Sequence, residues 1–233
     1  MKKIKETPSC LTCSIAKTCI FKTLPTEELE KIEYEKTVHF YKKNSIIYRE
    51  GNRINGFYCV NSGVVKLYKT GLEGREQIIR FGKPGSIIGY RSILSGELAC
   101  TTAKTIEDTV ACFISGAKLI EMVTKHASFA MELMKLTCKE LGESNKYILD
   151  IAQKTVRERL AEILILLIEN FGIDDDNVLR ILLTREELAN MVGTATESVI
   201  RLLSEFKADN VIELKGRKIK IMHLEQLQKI SNL

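Results

Sequence analysis

The chain of 233 residues has no tryptophan, only three histidines and no long apolar run. Each scarcity removes a class of function. The longest uninterrupted apolar stretch, Ile163 to Ile168, falls far short of the ~20 residues a membrane-spanning helix needs. The basic start "MKKIKETPS" leads into no apolar segment of a secretory signal. A soluble, cytoplasmic protein with no membrane partner is expected. Seven cysteines make an odd count, and in a reducing compartment they fit a disulfide framework badly. Three of them, Cys10, Cys13 and Cys19, crowd into "SCLTCSIAKTCIF", which leaves metal or redox chemistry as the better account. Histidine is scarce and the C-x2-C pair lies outside any βαβ context, which disfavours a redox enzyme using Cys10 or Cys13 as nucleophile. No catalytic residues are expected. A net charge of +5 permits a polyanionic partner without requiring one.

The length favours two domains. From about Glu35 to Ile114, short β-branched and aromatic runs alternate with Gly-centred turns, as in "FYCVNSGVVKLYKTGLEGREQIIRFGKPGSIIGY". That pattern predicts an antiparallel barrel or sandwich, since no helix-length apolar period separates the strands. After Ser115 the pattern turns helical. Met134, Leu141 and Ile148 recur every seven residues, with Thr137, Ser144 and Ile151 as the other seam positions of a heptad. A helix that pairs two copies of the chain is expected. The alternative is a helix laid against its own barrel, and the polar Thr137 and Ser144 leave it open.

The most informative stretch of the C-terminal half is "LTREELANMVGTATESVIRLLSEFKADNVIELKGRKIKI". It follows a helix, "VRERLAEILILLIENFG", that ends at Gly172. Thr184 and Glu187 predict a capping box, Gly193 a turn, and Val199, Leu202, Leu203 and Phe206 the inward face of a second helix from about Ala195. This is helix-turn-helix spacing. Thr196, Glu197, Ile200 and Arg201 are left on one exposed face near the second helix's N-terminus, where a recognition helix meets base edges. "VIELKGRKIKI" supplies a two-stranded wing whose Lys215, Arg217, Lys218 and Lys220 suit phosphate contact. The competing reading makes Glu197 and Arg201 a surface ion pair at i,i+4 spacing.

A β-roll, a long helix and a winged helix carrying "GTATESVIRLL" together resemble the CRP/FNR family of bacterial transcription regulators, over nearly the whole chain. The resemblance implies an α+β fold: an N-terminal cyclic-nucleotide-binding-like β-roll (a double-stranded jelly roll), a long dimerisation helix and a C-terminal winged helix-turn-helix. It divides the chain into a Cys-rich segment 1–28, a sensor domain 29–116, a dimerisation helix region 117–154 and a DNA-binding domain 155–233. In the cyclic-AMP receptors of the family, a Glu and an Arg-Ser pair hold the nucleotide in a cassette resembling "IIGYRSILSGELACTTAK". Here Tyr90, Cys100 and Thr101 stand in those places, so the charge-assisted bonds are missing and cyclic AMP is not expected as a ligand. Arg91 reads as an ordinary surface residue.

The spacing Cys10-x2-Cys13-x5-Cys19, with the filler "CSIAKTCI", resembles the fumarate-nitrate reduction branch, whose members carry an oxygen-labile 4Fe-4S cluster. "TVACFI" puts Cys112 where that branch has its fourth ligand, and four thiolates are what such a cluster needs. Cys59, Cys100 and Cys138 read as small core residues. The resemblance implies that an intact cluster favours a homodimer, which binds DNA at an inverted repeat with half-sites similar to TTGAT. Similar loops in the family touch RNA polymerase, and the sequence leaves open whether the loop "TGLEGREQ" does the same. One departure is Ser144, where the branch carries an Asp whose repulsion keeps the apo-protein monomeric; Glu143 is its neighbour. The rival reading is a regulator of the same fold gated by another small effector, with the cysteines idle or holding zinc.

Overall fold

The computed structural model describes residues 8–13, 15 and 19–232. The chain forms two compact units, one up to Leu141 and one from Gly142 onward.

In the first unit, α1 (Thr26–Glu35) precedes eight short strands: β1 (Thr37–Tyr41), β2 (Ile46–Tyr48), β3 (Gly56–Ser62), β4 (Val65–Thr70), β5 (Glu76–Gly82), β6 (Ile87–Ile88), β7 (Thr102–Thr105) and β8 (Thr109–Ser115). They make two antiparallel four-stranded sheets, ordered β1-β8-β3-β6 and β2-β7-β4-β5, so the expected β-roll is present. The β3–β4 hairpin turns at Gly63, whose φ is +85°. A Cβ there would meet Thr109 Oγ1 at 2.4 Å and the Asp108 carbonyl at 2.6 Å, so glycine alone fits. A short helix, α2 (Tyr90–Ser95), interrupts the strands.

The helical stretch after Ser115 is two helices, α3 (Gly116–Lys125) and α4 (Ala127–Gln153), broken at the extended His126. The Ser115 hydroxyl caps α3 by accepting from Lys118 N–H. One face of α3 and the start of α4 bury Leu119, Met122, Phe129 and Leu133 with Phe57, Ile87 and Ile114 of the roll. Phe21 joins this core, stacked on Phe129 with centroids 6.1 Å apart, and so anchors the N-terminal segment. Lys118, with a side chain only 2% exposed, pairs with Glu28 of α1 and with Glu121, each at 3.2 Å, fastening α1 to α3.

The second unit holds α5 (Val156–Phe171), α6 (Arg185–Val192), α7 (Thr196–Ala208), β9 (Ile212–Lys215), β10 (Lys218–Ile221) and α8 (Leu224–Ser231). α5 starts in a capping box, with Thr155 accepting from Glu158 N–H while the Glu158 carboxylate accepts from Thr155 N–H, and it ends at Gly172 as expected. The predicted Thr184–Glu187 capping box forms, and Gly193 closes α6 in the left-handed region, with φ 72°. Val199, Leu202, Leu203 and Phe206 of α7 are buried, so the inward face follows the sequence pattern.

Candidate metal centre and nucleic-acid interface

Cys10 and Cys13 lie ahead of a 3-10 turn, Ile20–Thr23, which Cys19 opens. Cys112 sits in mid-β8, with Val38 of β1 on one side and Cys59 of β3 directly opposite on the other. The fold brings Cys10, Cys13, Cys19 and Cys112 to the wall of a single cavity, and Cys59 lines it as well. Side chains donate to two of the sulfurs. Lys36 Nζ donates to Cys10 Sγ at 3.3 Å, and Asn61 Nδ2 donates to Cys13 Sγ at 3.4 Å. Burial pushes the Cys10 thiol up to about 11, and it raises Cys19 and Cys112 too.

Among the described residues, no three His, Cys, Asp or Glu side chains converge on a point that would hold a single metal ion. All four thiols line the one cavity. That arrangement fits the donor chemistry of a polynuclear cluster, in which each thiolate binds a different iron. The other cysteines fall out differently. Cys59 is buried, as expected, but faces the same cavity; Cys100 is half-buried; Cys138 is exposed on α4 and is not a core residue. Its apolar neighbour Leu136 packs toward the core, but Cys138 lies past that face, next to the exposed Thr137.

At the positions aligned with nucleotide contacts, Tyr90 is fully buried at the start of α2, while Cys100 and Thr101 are half-buried. Burial and then the Glu140 carboxylate push the Tyr90 phenol up to about 12, and Glu140 bridges to Arg80 at 3.2 Å. Arg91 is exposed on α2 rather than in a strand turn. The tip of the β4–β5 hairpin presents Leu72, 93% exposed, beside Glu73 at φ +63°.

The seam positions Met134, Thr137, Leu141, Ser144, Ile148 and Ile151 are all exposed on α4. The helix packs on the roll along a neighbouring face, with Phe129 and Leu133.

On α7, Glu197, Ile200 and Arg201 are exposed and Thr196 is half-buried. Arg201 is ion-paired, but with Glu205 at 2.6 Å and not with Glu197. The other Glu205 oxygen accepts from Arg157 at 3.0 Å; Arg157 also reaches Asp209 at 2.8 Å and lies over the Phe206 ring. β9 and β10 pair antiparallel with Lys215 facing Lys218, and the turn between them carries Gly216 at φ +59° and Arg217. Lys215, Arg217 and Lys218 are exposed, while Lys220 is half-buried. Arg185, at the start of α6, donates to the Gly216 carbonyl at 3.0 Å and ties the wing to the helices. The roles of Glu205 and Arg185 were not read from the sequence, although the Arg201–Glu205 spacing of i,i+4 was there to be read.

A β-roll followed by a helix-turn-helix with a hairpin wing defines a class of DNA-binding regulators, and comparison with known proteins agrees. Residues 38–126 match the cyclic nucleotide-binding domain family and residues 158–230 the Crp-like helix-turn-helix domain family, together well over half of the chain. The Transcriptional activator protein Anr of Pseudomonas protegens is 28% identical over 221 residues, covering 94% of this chain and 90% of its own length. The Fumarate and nitrate reduction regulatory protein of Vibrio cholerae is 27% identical over 230 residues, covering 96% and 90%. The solved structure of FixK2 from Bradyrhizobium japonicum superposes with a TM-score of 0.75 at 26% identity, covering 84% of this chain and 96% of its own. The chain belongs to the CRP/FNR family of transcription regulators, which bind DNA through the helix-turn-helix, typically act as dimers and are not enzymes. No helix among the described residues is long and apolar enough to cross a membrane.

Proposed function

We propose that this regulator senses oxygen or redox state through a 4Fe-4S cluster held by Cys10, Cys13, Cys19 and Cys112, and that the cluster governs dimerisation and binding to a palindromic promoter site. The observation that carries this reading is the meeting of those four thiols, from a segment at one end of the chain and a strand about ninety residues later, at one cavity. When bound, the cluster supplies an oxygen-labile crosslink between the N-terminal segment and β8. Phe21 and Leu24 seat that segment on the core of the roll, and Lys36 and Asn61 hold two of the sulfurs. A lone zinc ion needs all four sulfurs about 2.3 Å from one centre. Four thiolates are a donor set for either group, and the cluster reading rests on the spacing Cys10-x2-Cys13-x5-Cys19 together with Cys112 at the same cavity.

The exposed apolar stripe on α4 serves as the dimer seam, and two α7 helices then enter successive major grooves about 34 Å apart. Glu197 and Arg201 read base edges, Thr196 and Ile200 lie beside them, and Lys215, Arg217 and Lys218 hold phosphates. The half-site is similar to TTGAT. Tyr90, buried where a cyclic nucleotide would need a carboxylate, argues against cyclic AMP as the effector. Contact of the β4–β5 tip with RNA polymerase completes the reading.

The test is anaerobic reconstitution with iron and sulfide. About four irons per chain and a brown colour that bleaches in air are expected, along with DNA binding that falls as the colour is lost. Alanine at Cys10, Cys13, Cys19 or Cys112 should abolish loading. Zinc alone bound by the same four residues would replace this reading with the effector-gated one.

A further inference from the structure

Lys36 follows α1 directly, and its side chain is only 3% exposed. A buried ammonium is costly unless each of its protons finds a partner and its charge is balanced. Here all three protons are used. Nζ donates to Glu33 Oε2 at 2.7 Å, to Cys10 Sγ at 3.3 Å and to the carbonyl oxygen of Pro8. The same Glu33 oxygen accepts from the backbone N–H of Cys10. Cys10 is thus gripped at its sulfur by a cation and at its backbone by that cation's counter-ion. Asn61 makes the corresponding bond to Cys13 without a charge, whereas Lys36 brings a full positive charge to Cys10.

We infer that Lys36 is a positioning residue of the metal centre, seating Cys10 and holding a positive charge against its sulfur, and that it makes the bound cluster harder to oxidise. The inference rests on the reading of the four cysteines as cluster ligands. Oxidation by one electron, taken up by dioxygen as superoxide, makes the site more positive, and a neighbouring cation opposes that change. Donation to a ligand sulfur acts in the same direction. Glu33 balances Lys36, so the pair sets the site's charge while fixing the geometry of Cys10.

The two residues provide tests of opposite sign. Lys36→Met keeps most of the stem and removes the charge; Glu33→Gln keeps an acceptor for Cys10 N–H and removes the opposing charge. After anaerobic loading, the midpoint potential is read by redox titration of the visible absorption, and air bleaching is timed. Lys36→Met should lower the potential and bleach about tenfold faster, Glu33→Gln should raise the potential and bleach more slowly, and Lys36→Arg should return toward wild type. A purely structural role would move Lys36→Met and Glu33→Gln in the same direction. Such a result, or no change in either while the wild type holds about four irons, overturns the inference. Should Lys36→Met fail to fold, Glu33→Gln and Lys36→Arg decide alone. A wild type that takes up no iron overturns the ligand assignment itself, and the role of Lys36 falls with it.

Discussion

Arg201 donates to Glu205 across 2.6 Å, one turn further along α7, with 68% of the arginine side chain still exposed. Arg201, whose guanidinium suits O6 and N7 of a guanine on the proposed reading, is therefore held by a neighbour before DNA arrives. An exposed pair of this kind is worth about 0.3–0.5 kcal/mol, so binding must break only a weak contact. Glu205→Gln is expected to leave thermal stability nearly unchanged and to tighten specific DNA binding by about twofold, measured by fluorescence anisotropy.

Arg201→Ala should cost about 1–3 kcal/mol on the palindrome and flatten the preference at its guanine. Lys218→Ala should weaken all DNA alike and lower the salt slope by about 1. Titrations against site variants at two salt concentrations separate the two effects. Unchanged discrimination in Arg201→Ala would end the assignment of α7 as the recognition helix.

The seam on α4 makes a separate prediction. Ile148 is 65% exposed and Leu141 61% in the single chain, so a charge at either costs the monomer little. Ile148→Asp should abolish dimerisation of the cluster-loaded protein in sedimentation experiments, with its circular dichroism unchanged. Ser144→Asp, which places like charges on both copies, should weaken the dimer more in low salt than in high.

Lys118 and Glu28 form a buried pair whose loss is felt in the first unit. Lys118→Met leaves Glu28, its side chain 7% exposed, with the surface Lys31 as its lysine partner. Breaking a buried pair from one side costs about 3 kcal/mol at the low end of such effects, visible in urea unfolding. Hydrogen bonds from Lys31 and Lys118 hold the Glu28 carboxyl below its ordinary value. A carboxyl lowered in the folded state stabilises above its unfolded pKa and loses that contribution as it protonates. The wild type should therefore lose stability as pH falls below about 4.5, and Lys118→Met should lose less over the same range.

Much of this architecture is legible in local sequence, because caps, turns and helix faces depend on residues three or four apart. Thr184 with Glu187, Gly193 and the inward Val199–Phe206 face are of that kind, and all formed as read. What escaped depends on long-range contacts. Lys36 is one of 35 basic residues until the fold brings it to 3.3 Å from a sulfur 26 positions away in sequence, and the placement of Cys59 opposite Cys112 is a matter of strand register. Cys138 was misjudged for a related reason: apolar sequence neighbours do not tell which side of a helix a residue faces.

Cys112 also stands at one end of a short path. β8 ends at Ser115, α3 starts at Gly116 and ends at Lys125, and only His126 separates it from α4. At the joint, a Cβ on Gly116 would meet Ile93 at 3.0 Å and the Asn55 carbonyl at 3.2 Å, so strand passes to helix with no slack. A displacement of the Cys112 sulfur would thus reach α4 through one strand, one helix and a single extended residue. On the proposed reading, lengthening the Ser115–Gly116 junction by two flexible residues should leave the four cysteines able to hold a cluster while uncoupling it from the helix assigned to dimerisation.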